Sequence, residues 1–228
     1  QDPTKTPPRP HQDPTKTPPR KGTIMSNPSI AWQRLQAGNQ RFYAPLRSRQ
    51  KATAKDHSPV AVVFRCADAD TPSEVVLGQS WGSLIDISTW GHVIDTGVLA
   101  TVEYAVGTLK TPLIVVLGHE DCAAMETALA AWNNVSIPEG AARVVVEQAI
   151  SSLARQDADI SSADELSAAH AVHTGVSLLH KSAVIAKAVD TGQTAIVCLV
   201  SNAEDGRLRT CATFGHVDDS DSALLECV

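Results

Sequence analysis

Apolar residues follow two rhythms along this chain. Three short, nearly unbroken runs, Pro59–Arg65 (PVAVVFR), Pro112–Gly118 (PLIVVLG) and Thr194–Ser201 (TAIVCLVS), are rich in β-branched residues. Runs of that kind and length fit strands buried on both faces of a parallel sheet. A fainter strand signal lies at Ser83–Ser88. Between them apolar positions recur at helical spacing, as in Val98, Val102, Ala105, Val106 and Leu109. An Ala-rich stretch from His119 to Trp132 and the segments Ala141–Arg155 and Asp164–Val189 also read as helical. Upstream, Pro28–Tyr43 predicts a helix capped by Ser29 and broken near Gly38, followed by a polar loop over 44–58. Near the end, Asp205-Gly206 is a hairpin-turn signal leading into a last strand at Leu208–Phe214. Strands alternating with helices predict an α/β fold, a mainly parallel central sheet flanked by helices and ending in an antiparallel C-terminal edge hairpin.

Residues 1–24 break this pattern. Gln1–Arg9 (QDPTKTPPR) is repeated at Gln12–Arg20, and the stretch holds seven of the thirteen prolines. With no apolar periodicity it cannot offset its ordering entropy by burial, and it reads as a disordered tail, an appended expression sequence or a linker. Met25 then reads as a natural start, residues 25–217 as one globular domain and 218–228 as an acidic tail. The first 24 residues carry +3, which leaves 14 basic against 23 acidic residues, or −9, for the remainder. That balance excludes a general nucleic-acid binder. No apolar run reaches the roughly 18–20 residues of a membrane span, and no secretory signal pattern opens the sequence. Five cysteines, an odd number thinly spread, make a poor disulfide framework and lead us to expect a reducing, cytoplasmic setting.

Candidate chemistry gathers where two predicted strands end. Pro59–Arg65 runs straight into Cys66-Ala67-Asp68-Ala69-Asp70, and Pro112–Gly118 runs straight into His119-Glu120-Asp121-Cys122. Open parallel sheets place their sites at such strand ends, so neighbouring strands would bring both loops to one crevice. Two thiolates and an imidazole are the donor set Zn2+ prefers, they balance its charge, and three protein ligands leave a fourth position open for catalysis.

At these residues the chain resembles the β-class carbonic anhydrases. The likeness starts with AWQRLQAGNQRF (Ala31–Phe42) and continues through Cys66-x-Asp68, Gln79, Gly91-His92, the Val102–Val106 helix and LIVVLGHEDC (Leu113–Cys122). It spans about residues 29–217. The resemblance implies a zinc lyase that reversibly hydrates carbon dioxide to bicarbonate by zinc-bound hydroxide. It implies that Cys66, His119 and Cys122 ligate Zn2+, that Asp68 is the carboxylate beside the metal, and that Gln79 contacts bound substrate. It also implies a homodimer or higher even oligomer, with the N-terminal helix packed across the partner.

Four positions depart from the family pattern. Asp70 stands where the family has an arginine that holds the aspartate off the metal; Ser88 replaces a second arginine, Trp90 an alanine and Ala123 a glycine. With Gly91 and His92 these residues are expected to line the crevice. The reversal of charge at residue 70 predicts that Asp68 swings onto the zinc as a fourth ligand and that turnover is slow or absent. Arg65 precedes Cys66 on a strand and should point to the opposite face, so it is no substitute. The alternatives are a non-catalytic zinc scaffold and a hydrolase of another small electrophile such as carbon disulfide. Elsewhere, His170, His173 and His180 share a helical face that reads as a solvated or interface surface, Cys198 reads as core, and Cys211 and Cys227 as free thiols.

Overall fold

The computed structural model describes residues 28–43, 59–153 and 160–217. The expected tail over 1–24, the loop over 44–58, the acidic tail over 218–228 and Cys227 lie outside the described residues. The chain falls into two compact units, residues 1–55 and 56–228. In the first, Pro28–Tyr43 forms one continuous helix, α1. The break expected at Gly38 does not occur, because glycine inside a helix costs only about 1 kcal/mol and removes no hydrogen bond. Trp32 and Leu35 on α1 are 60% and 66% exposed.

The second unit is built on five strands, β1 (Ala61–Cys66), β2 (Leu84–Thr89), β3 (Leu113–His119), β4 (Ala195–Ser201) and β5 (Leu208–Phe214). Their order is β2-β1-β3-β4-β5, parallel except for the β4–β5 hairpin. The expected sheet is thus present, and the predicted turn is made where Gly206, at φ 72°, lies between Asn202 and Arg207. The helices are α2 (Ser73–Val76), α3 (Thr96–Glu103), α4 (Ala123–Asn134), α5 (Ala142–Leu153), α6 (Ala163–Lys181) and α7 (Ala183–Asp190). The sequence gives no hint of α2. The helix expected over 98–109 starts at Thr96, where Asp95 accepts from the Val98 amide, and passes into a π-turn over Tyr104–Thr108. The single helix expected over 164–189 is two. Ser182 adopts extended backbone (φ −133°), and its hydroxyl accepts from the Ile185 amide, ending α6 and capping α7. At its other end α6 carries a full capping box, Ser162 with Glu165.

Alternation along the strands divides the core. Val62, Phe64, Ile114, Val116, Ile196 and Cys198 face α3, α6 and α7, with Val102, Val106, Leu178 and Ile185 fully buried against them. Each such side chain contributes about 1.5–3 kcal/mol through burial. On the other face Val63, Val115 and Leu199 form a smaller cluster, joined by Val76 at the end of α2 and by Leu77 just after it. A third cluster, at the strand ends, packs α4, α5 and Leu166 around Cys66 and Cys122.

Two buried histidines tie these layers. His92 Nε2 donates to the Leu117 carbonyl (2.9 Å), and His170 Nε2 donates to the Gly91 carbonyl (2.9 Å) while Ser152 donates to His170 Nδ1 (2.8 Å). The solvated face expected for His170 is therefore wrong: it is 1% exposed, because its partners lie inside the protein. Burial, with the neighbouring histidine charge, holds His92 at a pKa of about 3, and burial holds His170 at about 4. Both lie below the ordinary 6.5. Below pH 6.5 the unfolded chain takes up protons that these folded rings refuse, so the stability they lend is whole above that pH and falls as pH drops towards 4. Denaturant titrations at stepped pH should show a loss of roughly 1 kcal/mol per pH unit for each histidine. A stability constant from pH 7 to 4.5 would contradict the assignment.

Gly175 lets α6 lie close on β4 and β5. A Cβ there would stand 2.7 Å from Cys198 Sγ and 3.0 Å from a Phe214 ring carbon. Gly175→Ala should lower unfolding free energy by about 1–3 kcal/mol, measured by urea titration, despite alanine's better helix propensity.

Candidate metal centre

The site is a consequence of strand register. Arg65 pairs with Leu117 across β1 and β3, so Cys66 and His119, the last residues of these strands, end at the same edge of the sheet, offset by one residue. This is the switch point of a 2-1-3 sheet, where crossovers leave on opposite sides and a crevice opens. A tight turn after Cys66, closed by Ala69 N–H to the Cys66 carbonyl (3.4 Å), folds Asp68 back over the sulfur. After His119, Asp121 takes a left-handed conformation (φ 54°), and Cys122 becomes the N-cap of α4.

Four donors meet there. Asp68 Oδ1 lies 2.6 Å from Cys66 Sγ, 3.0 Å from His119 Nε2 and 3.8 Å from Cys122 Sγ, and the two sulfurs are 3.8 Å apart. One ligand atom from each of these four residues lies within 4.8 Å of the others. His119 Nδ1–H donates to the Glu120 carbonyl (2.8 Å), so Nε2 is the nitrogen that faces the cluster, 3.0 Å from Asp68 Oδ1, and the one that can give a lone pair to a metal once its proton leaves. Ser167 donates to the His119 carbonyl (2.8 Å), and the Glu120 carboxylate is fixed by Asn202 Nδ2 (2.6 Å) and the Ala203 amide (3.1 Å).

Electrostatics reflect the crowding. The hydrogen bond from Cys122, against the cost of burial, draws Cys66 down to about 6. Its hydrogen bond to Cys66, together with burial, drives the Cys122 thiol far up. Burial alone would lower His119, but hydrogen bonding to Cys66 and Asp68 outweighs it and raises the ring to about 9. Asp68 is likewise lowered despite burial, by Cys66, His119 and the Ala123 amide. Two sulfurs, one imidazole nitrogen and one carboxylate oxygen at this spacing are a donor set suited to tetrahedral zinc.

The other expected site residues are scattered around this centre. Ala123 gives its amide to Asp68 Oδ2 (2.7 Å), at the N-terminus of α4 where backbone dipoles favour an anion. Gly91 directs its amide at Cys66 Sγ (3.0 Å) from φ 68°, and His92 and Trp90 sit beside it, Trp90 packing on the Cys66–Cys122 cluster. Ser88 is exposed near the end of β2. Gln79 is exposed and donates to the Leu77 carbonyl (3.1 Å). A cavity of about 500 Å3 opens beside the donors, lined by Asp68, Asp70, Glu120, Asp121, Glu204 and Asp205 among others. Neither Gln79, Ser88, Trp90, Gly91, His92 nor Ala123 lines it, and no described lysine or arginine does.

Arg65 has a part that sequence reasoning missed. Its Nη1 reaches round the strand end to the Thr71 carbonyl (2.8 Å) and towards that of Ala69 (3.5 Å). Its Nε lies 3.4 Å from Asp86 Oδ2, and Asp86 Oδ1 also accepts from Ser73. The loop carrying Asp68 is thereby gripped by its backbone.

A family model described as carbonic anhydrase matches residues 61–208. Carbonic anhydrase 2 of Mycobacterium tuberculosis is 40% identical over 192 residues, 80% of this chain and 92% of that one. Among solved structures, the Coccomyxa β-carbonic anhydrase in complex with acetazolamide aligns with a TM-score of 0.65 at 17% identity, over 81% of this chain and 86% of that one. One of two tetrameric β-carbonic anhydrases from Sordaria macrospora aligns at 0.59 and 19% identity, over 80% and 94%. Sequence likeness across most of the chain, the β2-β1-β3-β4-β5 sheet and the donors at its switch point agree, and this chain belongs to the β-class carbonic anhydrase family.

Proposed function

We infer that this chain is a zinc enzyme for the reversible hydration of carbon dioxide to bicarbonate, slowed by Asp68 and Asp70. The observation that carries the reading is the convergence of Cys66, Asp68, His119 and Cys122 within 4.8 Å on a chain of this family. Cys66, His119 and Cys122 would hold zinc, with Asp68 as fourth donor in the resting arrangement. Zinc supplies the Lewis acidity that lets water attack carbon dioxide at neutral pH. Asp68 Oδ1 lies among the three other donors, so turnover requires that carboxylate to move aside. The Ala123 amide favours its present place, and Arg65 holds only the backbone of its loop. Asp70 offers no cation to draw it away, and the carboxylate-lined mouth disfavours an anionic product. The reaction releases both bicarbonate and a proton from carbon dioxide and water. Gln79 is a candidate substrate contact by resemblance alone. Free thiols at Cys66 and Cys122 suit a reducing, cytoplasmic setting. Among the described residues no helix is long and apolar enough to cross a membrane. The exposed Trp32 and Leu35 of α1 suit an even-numbered homo-oligomer, to be checked by light scattering.

Purified chain should carry one zinc per subunit. Stripping it with dipicolinate should abolish stopped-flow hydration of carbon dioxide and lower the melting temperature, both restored by zinc. Equal hydration without metal contradicts the mechanism. A zinc-replete chain silent at every pH supports the non-catalytic scaffold instead, a reading that the closed donor set favours.

Asp70→Arg changes the charge beside the centre by two units, and each unit at about 4–8 Å is worth roughly 2–4 kcal/mol at an effective dielectric near 20. Hydration should rise by about tenfold or more, and small anions should inhibit the variant more strongly than the parent. No change in either quantity removes the electrostatic explanation.

A further inference from the structure

A chain of buried hydrogen bonds runs from α5 through α6 to the Cys66 sulfur. Ser152 Oγ–H donates to His170 Nδ1 (2.8 Å), His170 Nε2–H donates to the Gly91 carbonyl (2.9 Å), and the Gly91 amide donates to Cys66 Sγ (3.0 Å). Ser152 and His170 are each 1% exposed, Gly91 is buried and Cys66 is fully buried. A carbonyl only accepts, so His170 carries its proton on Nε2, and the remaining lone pair on Nδ1 is what Ser152 fills. Burial keeps the ring neutral and the tautomer single.

The carbonyl and the amide of Gly91 flank one Cα. The carbonyl turns with ψ and the amide with φ, so the His170 bond restrains the first while the close packing of Gly91 on Val145 and Ala124 restrains the second, and together they aim the N–H. That conformation is left-handed (φ 68°, ψ 28°), and a side chain there would collide with Val145 and press on Ala124. An N–H aimed at a thiolate lowers the energy of the sulfur lone pairs and fixes where they point.

We propose that His170 is a positioning residue for Cys66: its Nε2–H, anchored by Ser152, locks Gly91 so that the Gly91 amide hydrogen-bonds and orients the Cys66 sulfur for metal. This rests on the zinc reading above. A buried histidine that served packing alone would affect stability without altering the sulfur.

Cobalt(II) loading of the full chain separates the two. In His170→Leu the sulfur-to-cobalt charge-transfer band should shift to longer wavelength, and metal affinity in competition with a chromophoric chelator should fall about 10–100-fold. His170→Gln, whose amide nitrogen can stand where Nε2 stands, should keep the parent band and an affinity within a few-fold of it. His170→Asn retains polarity but is too short to reach the Gly91 carbonyl; it should behave as the leucine variant and carries the test if that variant does not fold. Parent-like band and affinity in the asparagine or leucine variant, with only the urea midpoint lowered, overturn the proposal. A parent chain that takes up no cobalt overturns the zinc reading itself, and the proposal with it.

Discussion

Parallel pairing of β1 with β3 is the constraint on which the rest of the molecule turns. Because Arg65 stands opposite Leu117, Cys66 comes level with Gly118 and His119 follows one residue on, both at the same edge of the sheet. Cys122 and Asp68 then need only the turns that follow. Both faces of β1 and β3 are packed, so a slip of one residue would exchange Phe64 and Val116 with Val63 and Val115 between two differently shaped cores and move the donors out of line. The same apolar alternation that stabilises the sheet thus fixes the spacing of the donors. Ionisable groups so close and so far from water demand compensation, and a divalent cation is the compensation their chemistry fits best.

Around the donors, backbone groups do more of the holding than side-chain charges. Asp68 rests on the Ala123 amide, Cys66 on the Gly91 amide, and the loop between strand and α2 on carbonyls gripped by Arg65. Arg65, the residue before the first cysteine, grips the main chain of the Asp68 loop through the Thr71 and Ala69 carbonyls. That grip constrains the loop and leaves the carboxylate free to side with the sulfurs.

Much of this was legible from the residues. Uninterrupted β-branched runs marked β1, β3 and β4, and the Asp205-Gly206 turn placed β5 at the residues expected. Cys66 and His119 stood out because each directly follows such a run. What escaped notice depends on long reach. Alternation places Arg65 on the face opposite its neighbour Cys66 but says nothing of how far a guanidinium can curl round a strand end. His170 shares a helical face with His173 and His180, and periodicity cannot tell that its partner is a carbonyl 79 positions away. The break at Ser182 was hidden because the Ala-rich pattern continues on both sides. Gly38, which reads as a breaker, lies within an intact helix.

Gly91 serves the packing between α4 and α5 and the hydrogen bonding of a cysteine sulfur with one backbone conformation. The two demands meet in a single pair of backbone angles. A replacement at this position is therefore penalised twice, by the collision of its Cβ with Val145 and by the turning of an amide away from the sulfur.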